Sequence, residues 1–287
     1  MGKEIKIGFI GQGFIGKNYS DDFEERGYEV IRYNRSEYKD NKDLIATCDL
    51  VFIAVPTPTT PQGFDDSALI EVLKLVGKGK TAIIKSTMQM GTTRKMQSLY
   101  PDIIVMHSPE FLTEKTAAED ARHPNRNIVG IIDADNQDLI KKAEIVISTL
   151  PVAPYHLITK AENAEMIKYG GNCWFYFKVV FMNIFYDLIS KDNLDFEAIK
   201  EALAADPRIG STHLSVIHQG RPGIEQPGGR GAGGHCFIKD FEAFIAMLDK
   251  QSLTEQKKTC EAVRNLNLQY LKNSNKDQDL VKEVYGQ

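Results

Sequence analysis

The chain has 287 residues, 42% of them hydrophobic and 26% charged, with a net charge of −4 and an isoelectric point near 5.9. That balance suits a globular protein of about two domains at roughly 150 residues each, and it excludes wholesale disorder. It gives no electrostatic footprint for nucleic acid or an anionic membrane surface.

The N-terminus "MGKEIKIGFIG" lacks the layout of a secretory signal. The run "WFYFKVVFMNIFYDLI" is interrupted by Lys178, Asn183 and Asp187, so no membrane span is expected. Cys48, Cys173, Cys236 and Cys260 are widely scattered, which reads as a cytoplasmic protein rather than a disulfide framework.

Along the first half, short apolar runs alternate with helical spacing. "IKIGFI" (5–10), "EVIRYN" (29–34), "LVFIAV" (50–55), "TAIIKS" (81–86) and "DIIVMH" (102–107) read as buried strands, with further strands near 127–132 and 153–158. Leu69, Val72, Leu73 and Val76 give the segment 65–77 a helical period. Alternation of this kind predicts a doubly wound parallel sheet.

The second half changes character. One helical pattern runs from Thr159 to about Ser190, and others cover 195–205, 237–250 and 254–272, with a Gly- and Pro-rich loop from Pro207 to His235. The expected architecture is α/β: a Rossmann-type dinucleotide-binding domain at 1–158, then an all-α substrate and dimerisation domain at 159–273 built on a long central helix. A polar tail follows at 274–287.

"GFIGQGFIG" puts Gly11, Gly13 and Gly16 directly after the first strand and at the start of a helix. In a dinucleotide fingerprint the first glycine makes the tight turn, the second admits the pyrophosphate, and the third lets helix and strand pack closely. At the end of the second strand stand Asn34, Arg35 and Ser36, with no carboxylate to accept from a ribose 2′-hydroxyl. Arg35 is therefore either a ligand for a 2′-phosphate, as in NADP enzymes, or a solvated surface residue.

Further motifs follow in order. "VPTPT" (55–59) is a rigid turn, and "KSTMQMGTT" (85–93) offers the Ser86 and Thr87 hydroxyls as donors or helix caps. "SPEFLTEKTA" (108–117) spaces Glu110 and Glu114 to share a face if helical, and "AEMIKYGGN" does the same for Lys168 and Asn172. A lysine and an amide so placed can stabilise an alkoxide. "GGRGAGGHCFIKD" (228–240) sets Cys236 after a glycine collar, as a nucleophile or as a small buried hydrophobe. His213, His218 and His235 with Cys236 fit no metal-site spacing, and no metal is expected.

Taken with "DPRIG" (206–210), these motifs occur in the order and approximate spacing of the nucleotide-sugar dehydrogenases, and the chain resembles the UDP-glucose 6-dehydrogenase and GDP-mannose dehydrogenase family over residues 3–270. The resemblance spans two of that family's three domains. It implies a four-electron oxidation of a nucleotide sugar's C6 hydroxyl to the acid, with NAD as cofactor, while Asn34-Arg35-Ser36 leave NADP open. Cys236 would carry a thiohemiacetal and then a thioester.

The same resemblance gives Lys168 and Asn172 the oxyanion, and Glu114, Asp240 and Thr87 the proton and the hydrolytic water. It puts Gly11, Gly13, Phe14, Ile15, Gly16, Asn34, Arg35, Val55, Pro56, Thr57 and Thr87 against the dinucleotide. Glu110, Phe111, Leu112 and Gly233 would line the sugar, and Arg208 would reach a neighbouring subunit's substrate. The helix 159–190 matches the family's dimer-forming helix. Two other readings stand beside it: a two-electron hydroxyacid-type dehydrogenase and a non-catalytic dinucleotide or nucleotide-sugar binding protein.

Overall fold

The computed structural model describes residues 5–113, 115–218 and 228–286. The chain divides into two compact units, Met1–Pro58 with Asp65–Lys168, and Thr59–Phe64 with Tyr169–Gln287.

The first unit is built on a seven-stranded sheet. Its strands are β1 (Ile7–Ile10), β2 (Val30–Tyr33), β3 (Leu50–Ile53), β6 (Thr81–Ile84), β7 (Ile104–His107), β8 (Asn127–Ile131) and β9 (His156–Lys160), in the order β2-β1-β3-β6-β7-β8-β9. Every residue of β1, β3 and β6 is buried, because helices cover both faces of a parallel sheet and each strand must be apolar on both sides. The flanking helices are α1 (Phe14–Glu25), α2 (Ser67–Leu73), α3 (Thr92–Leu99), α4 (Ala117–Arg122) and α5 (Gln137–Thr149), and a 3₁₀ turn covers Lys39–Thr47. Phe9 stacks on Phe52 with ring centroids 5.0 Å apart, and Phe23 meets both rings from α1.

The sheet is not parallel throughout. β7 and β8 pair antiparallel through His107 and Gly130, after which β9 runs parallel to β8. The expected helix over 65–77 is shorter, at Ser67–Leu73.

The second unit holds most of α6 (Ala161–Ile189), then α7 (Phe196–Ala204), α8 (Gly234–Lys250), α9 (Thr254–Asn273) and α10 (Gln278–Tyr285). A hairpin of β4 (Thr59–Thr60) and β5 (Gly63–Phe64), directly after the rigid turn expected at 55–59, belongs to it and lies against α8 and α10. Tyr176 stacks on Phe241 at 3.9 Å between centroids, at the centre of a core with Cys173, Val179, Val180 and Ile245.

Two expectations change here. The polar tail is ordered: Leu280 and Val284 of α10 pack with Ile238 and Leu271, and Lys276 and Asp277 are buried. And Ala161–Asp192, with a mean hydropathy of 1.2, is long and apolar enough to cross a membrane by length and composition. The three polar residues expected to break it are accommodated within the unit. Lys178 Nζ donates to the carbonyls of Ile209 and Gly210, Asn183 Nδ2 donates to Val179 O, and Asp187 accepts from the Tyr270 hydroxyl.

Candidate active site

The glycine fingerprint lies between β1 and α1. Gly11 has φ +88°, and a Cβ there would lie 2.2 Å from Ala54 O; a Cβ on Gly16 would lie 1.8 Å from Gly11 O. Both are sterically bound to be glycine. Gly13 differs, with no atom within 4 Å of where its Cβ would be, and it starts α1 without a side-chain cap. Open space at an uncapped helix N-terminus suits a pyrophosphate, so the cradle fits a dinucleotide. Phe14 is largely exposed beside it, and Ile15 packs into the sheet core.

At the end of β2, Asn34 Oδ1 accepts from Ser36 N at 2.7 Å, Ser36 Oγ at 3.1 Å and Glu37 N at 2.7 Å, closing the turn. Arg35 pairs with Glu71 of α2, a partner the sequence reading did not single out. Pro56 is exposed, Val55 O accepts from Ser86 Oγ at 2.6 Å, and Thr57 Oγ1 donates to Thr87 O at 2.7 Å. The Ser86 hydroxyl therefore links strand ends rather than capping a helix. The N-terminus of α3 is taken instead by Glu165 of α6, whose carboxylate accepts from Gly91 N, Thr93 N and Thr93 Oγ1 at 2.6–2.7 Å. Its burial raises that carboxyl above the ordinary range.

Residues 108–113 are not helical, and Glu114, expected to share a face with Glu110, lies outside the described residues. Glu110 is buried and takes Lys168 Nζ at 2.8 Å and Leu112 N at 2.7 Å. Lys168 is thus a buried, ion-paired lysine. Phe111 lies under the Arg126 guanidinium, 3.9 Å from its ring centroid.

Alongside are two groups that the sequence left unremarked. Lys85 Nζ donates to Ser108 O and Oγ at 3.2 and 3.3 Å and sits 4.2 Å from the Tyr19 ring centroid; burial pushes it down to about 7. His107 Nδ1 lies 2.9 Å from Ile84 O, which assigns the proton to Nδ1, and burial pushes the imidazole down to about 3.

In the second unit Cys236 sits in the first turn of α8 and is exposed, whereas Cys173 and Cys260 are buried. Burial raises both of those thiols, as it raises Cys48 in the first unit to about 11. Asp240, one turn beyond Cys236, is completely buried and accepts from Asn172 Nδ2 at 2.6 Å and Lys239 Nζ at 2.5 Å. Gly233 is the N-cap of α8, and a Cβ there would lie 2.1 Å from Asp277 Oδ2. Arg208 is exposed and paired with Asp206 at 2.6 Å. Lys168 and Asn172 are one turn apart on the uninterrupted α6. Part of the loop 211–232, residues 219–227, lies outside the described residues. Among those described, no group of three or more His, Cys, Asp or Glu side chains is arranged for a metal ion.

Residues 32–146 match the NAD-binding domain of the UDP-glucose/GDP-mannose dehydrogenase family and residues 162–269 match its central domain. The UDP-glucose 6-dehydrogenase of Rhizobium meliloti is 26% identical over 286 residues, covering 84% of this chain and 63% of that protein. The chain therefore spans less than two thirds of that relative's length. A UDP-glucose dehydrogenase structure from Pyrobaculum islandicum superposes with a TM-score of 0.76 at 24% identity, covering 92% of this chain and 68% of the other. The 3-hydroxyisobutyrate dehydrogenase of Mycobacterium tuberculosis superposes with a TM-score of 0.69 at 14% identity, covering 96% of both chains. At these identities the two structures speak for the fold alone.

Proposed function

Because the chain belongs to the UDP-glucose/GDP-mannose dehydrogenase family, we propose that it oxidises the C6 hydroxyl of a nucleotide sugar to a carboxylate in two successive two-electron steps. NAD, the cofactor of this family's matched domain, supplies the hydride acceptor for each step when bound. Gly11, Gly13 and Gly16 with the first turn of α1 hold its pyrophosphate, and Asn34, Arg35, Val55, Pro56, Thr57 and Thr87 border the rest.

In the first step the C6 alcohol loses a proton and a hydride to become an aldehyde. Lys168 and Asn172 stabilise the alkoxide that forms on the way. The Cys236 thiolate then adds to the aldehyde carbon, and the resulting thiohemiacetal loses a second hydride to leave a thioester. Water attacks the thioester, releasing the acid and restoring the thiol. Asp240 and Thr87, with Glu114, handle the proton and the water. The backbone of Glu110–Leu112 and Gly233 lines the sugar, since the Glu110 carboxylate is turned onto Lys168.

The observation that carries this reading is in the second unit. Cys236 is exposed in the first turn of a helix, and Asp240, one turn behind it, is buried and bonded to Asn172. A structural cysteine needs neither feature. The test is a panel of nucleotide sugars with NAD, read by nicotinamide absorbance and by acid product, on the native chain and Cys236→Ala.

The reading extends to a cytosolic homodimer formed through α6. Trp174, Phe181 and Leu188 recur every seven residues and, with Ile184, are largely exposed, the pattern of a helix that packs on another copy. Arg208, exposed and held by Asp206, would then serve the neighbouring subunit's substrate.

A two-electron hydroxyacid-type oxidation is the second reading: Lys168 and Asn172 one turn apart on α6, and Asn34-Arg35-Ser36 after β2, suit it as well. It predicts one reduced dinucleotide per substrate and no need of Cys236.

A further inference from the structure

The glycine collar ahead of Cys236 has little rigidity of its own. Gly231 and Gly234 sit at φ +90° and +78°, and Gly229 and Gly233 add no side chains. What fixes it comes from the end of α9 and the corner between α9 and α10. Asn267 accepts from Ala232 N at 2.7 Å and donates to Ala232 O at 2.9 Å. Ser274 Oγ accepts from Arg230 N at 3.0 Å. Lys276 Nζ donates to Gly231 O at 2.9 Å and Gly229 O at 3.4 Å. Asp277 Oδ2 accepts from Gly234 N at 2.8 Å.

The corner is expensive to build. Lys276 and Asp277 are only 3% and 1% exposed, and burial pushes the Lys276 ammonium down to about 8. Asn275 and Asp277 both take positive φ. The collar is shaped to receive it: a Cβ on Gly229 would lie 2.7 Å from Ser274 Cβ, and one on Gly233 would lie 2.1 Å from Asp277 Oδ2. The collar glycines at 229 and 233 are thus required by close approach of the corner, not by a demand for flexibility.

We propose that the α9–α10 corner is a clamp on the glycine collar, with Lys276 and Asp277 as positioning residues that hold Cys236 at the start of α8. Asp277 occupies the first backbone donor of that helix and so fixes where its N-terminal turn begins.

The inference rests on the reading of Cys236 as nucleophile, but its test does not. Hydrogen exchange of the full chain, read by mass spectrometry, follows the amides of 228–236. In Lys276→Met and Asp277→Ala the collar exchanges at least tenfold faster, while the first unit is unchanged. Asp277→Asn, which keeps an acceptor for Gly234 N, restores the protection. Should the first two variants fail to fold, Ser274→Ala removes a single bond and must speed exchange at Arg230. Collar exchange within twofold of native in the folded variants overturns the clamp. A loosened collar in a chain whose Cys236→Ala form still makes acid leaves the clamp standing and removes the nucleophile.

Discussion

Asn172 Nδ2 donates to Asp240 Oδ2 at 2.6 Å, and Asp240 is wholly buried one helical turn behind Cys236. The bond ties α6 to α8 beside the exposed thiol. A carboxylate out of contact with water persists only if its lone pairs are matched, and here Asn172 and Lys239 match them. Asn172→Ala removes one donor and leaves a buried carboxylate oxygen short of a partner, a loss of about 1–3 kcal/mol. Thermal melts should show the drop, and Asn172→Asp, which sets two carboxylates face to face, should lose at least as much.

The Lys168–Glu110 pair makes a second prediction. Both groups are buried, so Glu110→Gln leaves the ammonium without its anion and costs roughly 3–5 kcal/mol. Lys168→Met is costly for the mirror-image reason. The double variant should be more stable than the sum of the two single losses implies, which a double-mutant cycle on denaturation midpoints measures.

Gly16 and Gly13 of the fingerprint should separate by role. Gly16→Ala forces a Cβ to 1.8 Å from Gly11 O and should lower the melting temperature sharply. Gly13→Ala meets no atom within 4 Å and should melt like the native chain, yet bind NAD at least tenfold more weakly by calorimetry because its methyl fills the pyrophosphate space.

Stability should fall in acid because of His107. The unfolded imidazole takes up a proton below its ordinary 6.5, whereas the folded one, held down by burial, does so only near 3. Stability is therefore full above pH 6.5 and declines toward pH 3 by up to about 1.4 kcal/mol per pH unit from this group. Lys85 acts in another window: its folded value of about 7 against an ordinary 10.5 makes stability rise with pH between those limits. Denaturation midpoints across pH should show the acid limb flattened in His107→Asn and the alkaline limb flattened in Lys85→Met.

Strands β1, β3 and β6 were legible in the sequence because burial on both faces leaves a continuous apolar run. The glycine fingerprint was legible because sterics admit no other residue at Gly11 and Gly16. The antiparallel pairing of β8 was not, since strand direction follows from how the chain returns rather than from composition. Ion pairs and caps made across long separations were hidden for the same reason. Glu165 caps a helix terminus 74 residues earlier, and Lys276 bonds a carbonyl 45 residues before it. A run such as "NSNKDQD" reads as a solvated tail until the backbone it serves is placed beside it.

The central claim is a four-electron oxidation through Cys236, and the direct measurement is stoichiometry. With a nucleotide sugar as limiting substrate, two reduced dinucleotides should form per sugar acid, and Cys236→Ala should form no acid. One reduced dinucleotide per substrate, or undiminished acid from Cys236→Ala, would contradict the account.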